Sequence, residues 1–64
     1  MTVKVTIFLE ENKSLSYITD FENSQVMMES FVDFMTNEIW TIIAAGSFHL
    51  VPVKRIIYVA VDEL

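Results

Sequence analysis

Cysteine is absent from this chain, and glycine, proline, tryptophan and histidine occur once each. Without a thiol there is no disulfide and no thiolate metal site to supplement a small core. One histidine among scattered acids is a poor ligand set for structural zinc, so no metal or other cofactor is expected. A single glycine excludes a glycine-rich phosphate loop. Positive charge is scarce too: four Lys and Arg stand against nine Asp and Glu, a net charge of −5 with an isoelectric point near 4.4. Nonspecific nucleic-acid binding needs a basic face that displaces counterions, and anionic membrane surfaces attract the same sign. Both are disfavoured. Long hydrophobic runs are also missing. The longest uncharged stretch, Ile39 to Val53, has fifteen residues, against the ~20 needed to cross a bilayer, and it is interrupted by Gly46, Ser47, His49 and Pro52. Residues 1–10 alternate like a strand rather than forming the apolar block of a secretion signal. The expectation is a soluble cytoplasmic protein.

What is abundant is apolar surface. Hydrophobic residues fill 53% of 64 positions and the mean hydropathy is +0.46, above the roughly 45–50% apolar content of ordinary domains. Residues 1–64 make one domain, near the lower limit for unaided folding. So short a monomer has too little interior for that much apolar surface. Large exposed patches usually mark an interface, so a homo-oligomer is expected, a dimer in the first instance.

Thr2 to Glu10 alternates, with Val3, Val5, Ile7 and Leu9 on one side; period two with β-branched residues is a strand signal. Phe8 is an aromatic on the polar side. Glu11 to Ser14 is a polar break in which Asn12 suits a positive φ. Leu15 to Phe21 alternates again, and a β-hairpin follows. Asn23 or Ser24 caps a helix that runs to about Asn37, with Glu22 at the positive end of its dipole. Glu22, Gln25, Glu29, Asp33 and Thr36 form the polar stripe. Met27, Met28, Phe31, Phe34 and Met35, with Val32 at the margin, span an arc of roughly 160° at 100° per residue. That is broader than one sheet face requires, so the helix is expected to meet two surfaces. Asn37 suits a left-handed helix end. Glu38 to Ala45 is a strand apolar on both faces, with Ile39, Thr41 and Ile43 opposed to Trp40, Ile42 and Ala44; such a strand is central or covered. Ala45-Gly46-Ser47 turns, Phe48 to Val51 returns, Pro52 bends, Val53 to Arg55 is a corner, and Ile56 to Val61 is the last strand. There Ile57, Val59 and Val61 oppose Ile56, Tyr58 and Ala60. The fold class is α+β: a small antiparallel sheet in the order ββαββ with one helix packed on one face. The last strand counts as two if Pro52 divides it, and a small closed barrel is the alternative.

Residues that carry chemistry are sparse. A nucleophilic site needs a nucleophile, a base and a group that orients the base. His49 sits in an apolar strand with no such partners. Glu10-Glu11 and Asp62-Glu63 are adjacent acids, which point to opposite faces on a strand. Asp20 and Glu22 at the helix entrance are better explained by capping. Four-oxalocrotonate-type tautomerases are built from chains this short, with a catalytic proline directly after the initiator Met; here Thr2 holds that position, so the resemblance fails. No enzymatic activity is expected.

The expected function is that of a small non-enzymatic interaction or regulatory domain acting as a homo-oligomer, of the kind common among short bacterial and phage genes. Met28, Val32 and Met35 on the helix, or the edge strand near Phe48, would form the contact. Lys54 and Arg55 would be rim charges that pair with Glu10 or Glu63 of a neighbour. A protein partner is expected as well. The alternative is a small barrel-like module that binds nucleic acid or another ligand, with Trp40 and Tyr58 stacking and Lys54 and Arg55 supplying charge.

Overall fold

The computed structural model describes residues 1–44 and 46–64, with the side chain of Ala44 left aside. The alternation of the amino end becomes β1 (Thr2–Leu9), the middle strand of a three-stranded antiparallel sheet. Its neighbours are β2 (Lys13–Asp20) and β5 (Ile56–Glu63). Val5 lies opposite Tyr17 on one side and Val61 on the other; Ile7 lies opposite Leu15 and Val59. Val3, Val5 and Ile7 are completely buried, as a middle strand with one covered face requires.

The turn between β1 and β2 is a single 3₁₀ turn, Glu10–Asn12. Asn12 has φ 59°, as the sequence suggests, and Glu11 joins it at φ 64°, a region L-residues other than Asn and Asp rarely enter. The break is therefore one residue earlier than expected, and Lys13 and Ser14 already belong to β2.

The helix is α1 (Ser24–Thr36). The Asn23 side chain accepts a hydrogen bond from the Val26 amide at 2.9 Å, satisfying one of the free donors of the first turn. Asn37 is not left-handed: it is extended, with φ −86° and ψ 159°. Only Asn37 and Glu38 separate α1 from β3 (Ile39–Ala44), and the chain straightens at once into that strand.

β3 pairs with β4 (Ser47–Pro52) as a separate two-stranded sheet. Gly46, at φ 76°, supplies the positive φ that a tight hairpin needs; Ala45, expected in this turn, lies outside the described residues. Pro52 ends β4, and a short 3₁₀ turn at Val53–Arg55 leads into β5. The last strand is thus two, and the five strands form two antiparallel sheets in an α+β fold with one helix. No ladder joins the two sheets among the described residues, so the barrel is not closed by hydrogen bonds there.

The core lies between the inner face of the three-stranded sheet and a second layer made of α1 and the β3–β4 hairpin. Val3, Val5 and Ile7 meet Trp40, Ile42 and Val51, with Met27, Phe31 and Phe34 packed against them. Trp40 stacks on Phe34 at 4.9 Å and tilts against Phe31 at 5.9 Å. The Val53 amide donates to the Glu38 carbonyl at 2.9 Å, tying the hairpin base to the corner before β5.

The expected phase of the last strand needs correcting. Phe8 pairs with Tyr58 but Leu9 pairs with Ile56, so Ile57 is skipped in a β-bulge. The extra residue reverses the alternation. Ile56 therefore shares the inner side with Val59 and Val61, and Ile57 is exposed.

Candidate interaction surface

A two-stranded sheet has two faces, and β3–β4 is apolar on both. Register sets the partition: Trp40 opposes Val51 and Ile42 opposes His49, while Thr41 opposes Leu50 and Ile43 opposes Phe48. The first set faces the core, where Trp40 is only 1% exposed. The second faces outward, where Ile39, Ile43, Phe48 and Leu50 are between 51 and 74% exposed. The expectation that β3 would be covered on both faces thus holds for one face only. α1 packs on the core side, against Trp40, and no further element among the described residues covers the outer face of the hairpin.

The helix shows the same surplus. Met27, Phe31 and Phe34 reach the core. On the flank of the apolar arc, Met28, Val32 and Met35 are between 46 and 59% exposed. Met28 and Met35 overhang β5, forming with Phe31, Trp40, Val59 and Val61 an open groove of about 240 Å³. β5 pairs only with β1, so its second edge is free among the described residues.

Two predicted interaction clusters, the helix flank and Phe48, are therefore exposed, but on different elements. Lys54 and Arg55 are exposed at the corner before β5. Arg55 lines a cleft with Glu10 and Glu11, and Lys54 lines a hollow beside Glu38. Among the described residues neither makes an ion pair, and the ion pair there joins Lys13 to Glu11 at 3.7 Å. Ile39, Ile43 and Leu50 were missed from sequence because a doubly apolar strand reads as a covered one. The available signal was a count of layers: one helix cannot cover two sheets.

Stacking residues are fewer than the sequence suggested. Trp40 is buried and has no free face for a base. Tyr58 remains exposed on the outer face of the three-stranded sheet, stacked on Phe8 at 4.4 Å. Phe8 thus packs on a neighbouring strand's aromatic.

Titratable groups offer little chemistry. Burial pushes the Tyr17 hydroxyl above its ordinary value, opposed by the neighbouring Trp40 indole. The Asp20 carboxylate accepts a hydrogen bond from the Thr2 hydroxyl across the β1–β2 ladder. Among the described residues no group of three or more His, Asp or Glu is placed to hold a metal, and no helix is long and apolar enough to cross a membrane. Compared with protein-family models, curated proteins and solved structures, the chain matches none of them.

Proposed function

We propose that this chain is a small, soluble, cytoplasmic interaction domain without enzymatic activity, which acts as a homo-oligomer and engages a protein partner in a regulatory role. The observation that carries the reading is the outer face of the hairpin. Four large apolar side chains stand together on a strand pair whose outer face no other element covers among the described residues. A domain this size gains stability by burying such side chains, each worth about 1.5–3 kcal/mol when removed from water, so leaving four exposed is a cost that association offsets. An isolated two-stranded sheet is marginal in water, and a partner on its outer face also stiffens it.

The test is sedimentation equilibrium across a wide concentration range, with light scattering as a second readout. Reversible association beyond the 7.4 kDa monomer is expected at micromolar to tens-of-micromolar chain. A monomer that persists to millimolar concentration overturns self-association. Ile43→Ser with Leu50→Ser tests the hairpin: both side chains point to solvent, so the fold should persist while partner capture is lost.

A further inference from the structure

The free edge of β5 and the overhanging flank of α1 form one continuous strip, and we infer that this strip is the self-association surface, occupied by β5 and α1 of a second copy in antiparallel, two-fold symmetry. The inference rests on the self-association proposed above and names its site.

Three observations carry it. First, β5 offers eight residues of edge. Natural proteins blunt such edges with proline, inward charges, covering segments or bulges. From Tyr58 to Val61 β5 has no proline and no charge, and its bulge lies at Ile57 near one end. An open regular edge accepts another strand through its unpaired amides and carbonyls.

Second, the ends of β5 carry opposite charge. Lys54 and Arg55 precede it; Asp62 and Glu63 close it. Antiparallel pairing about an axis at Val59 sets Arg55 of one copy opposite Glu63 of the other, with Lys54 and Asp62 adjoining that pair, twice. Parallel pairing would set like charges together. The symmetric register also keeps Tyr58, Ala60 and Asp62 on one face and Val59 and Val61 on the other, so two three-stranded sheets become one six-stranded sheet.

Third, α1 runs in the sense opposite to β5. Its carboxyl end adjoins the corner at Val53 through the Glu38 hydrogen bond, and its amino end follows the carboxyl end of β2, which lies beside the start of β1. The same axis therefore places Val32 near Val32 of the second copy and Met28 near its Met35. A two-fold contact must be self-complementary in this way. The strip is about 26 Å long, from eight residues at about 3.3 Å each. With strand and helix layers together about 20 Å thick, its footprint is roughly 500 Å² per copy and 1,000 Å² in total. That lies at the lower bound for a specific interface.

Charge reversal tests it without touching the core. Lys54→Glu with Arg55→Glu makes both ends of β5 negative; Asp62→Lys with Glu63→Lys makes both positive. Each double variant should weaken the dimer at least tenfold at low salt. Mixing the two should restore association as a heterodimer, and the quadruple variant should restore the homodimer. Val32→Lys places like charges at the axis and should abolish the dimer while far-ultraviolet circular dichroism stays unchanged. A dimer that forms but ignores all these variants, and instead fails with Ile43→Ser and Leu50→Ser, overturns this site and leaves the proposed function standing. A chain that never associates overturns both.

Discussion

Trp40→Ala and Phe48→Ala together test the two-faced hairpin. Both remove a large aromatic ring from the same strand pair, and they differ only in the face. A tryptophan buries about 150–250 Å², which at about 25 cal/mol per Å² is roughly 4–6 kcal/mol. Discounting 10–40% for burial already present in the unfolded chain leaves about 3–5 kcal/mol, the range found when core aromatics are truncated. Loss of the Phe34 stack pushes the cost towards the upper end. A core in a chain this short rarely supplies more than about 3–5 kcal/mol in all, so Trp40→Ala should be largely unfolded. Phe48 is 74% exposed, and its truncation in the monomer should change stability by no more than about 0.5 kcal/mol. The assay is urea unfolding followed by far-ultraviolet circular dichroism, at a concentration where the chain is monomeric. Cooperative unfolding of Trp40→Ala within about 1 kcal/mol of the parent refutes the core assignment. A loss above about 2 kcal/mol for Phe48→Ala refutes the outward face.

Three further outcomes follow from local geometry. Glu11→Gly should stabilise by about 0.5 kcal/mol: relief of a left-handed L-residue, worth about 1–2 kcal/mol, outweighs glycine's extra freedom when unfolded. The exposed pair with Lys13 that it removes contributes little, and an unchanged or lower urea midpoint would contradict the turn conformation. Asn23→Ala should cost about 1 kcal/mol through loss of the helix cap, read as a lower midpoint; no shift would mean the Val26 amide is not held there. Tyr17 holds its proton more tightly folded than unfolded, so its contribution is intact below its unfolded value of 10.0. That contribution fades as pH rises past 10.0 towards the folded value. Tyr17→Phe should flatten this alkaline loss, checked by pH-dependent unfolding alongside tyrosinate absorbance.

Much of the fold was legible because its signals are local. Alternation marked β1 and β2, three- and four-residue spacing marked α1, and Asn23, Asn12, Gly46 and Pro52 marked its ends and turns. Met28, Val32 and Met35 stood out as a surplus, since the apolar arc exceeded what one sheet face covers. Glu11 gave no warning, because its left-handed conformation is imposed by closing the β1–β2 ladder from Leu9 to Lys13. Ile57 was misassigned because a bulge is a property of pairing, and no residue type announces the point where one strand slips against another.

Sequence alone determined the order of elements, the identity of the middle strand's buried face and the excess of apolar surface over what 64 residues can enclose. Each depends on spacing along the chain or on total composition. Tertiary structure alone decided that the strands split into two sheets, that Trp40 faces inward while Phe48 faces out, and that β5 keeps a free edge beneath the helix flank. A strand apolar on both sides carries the same pattern whether one face is covered or two; only the arrangement of layers around it settles which side meets water.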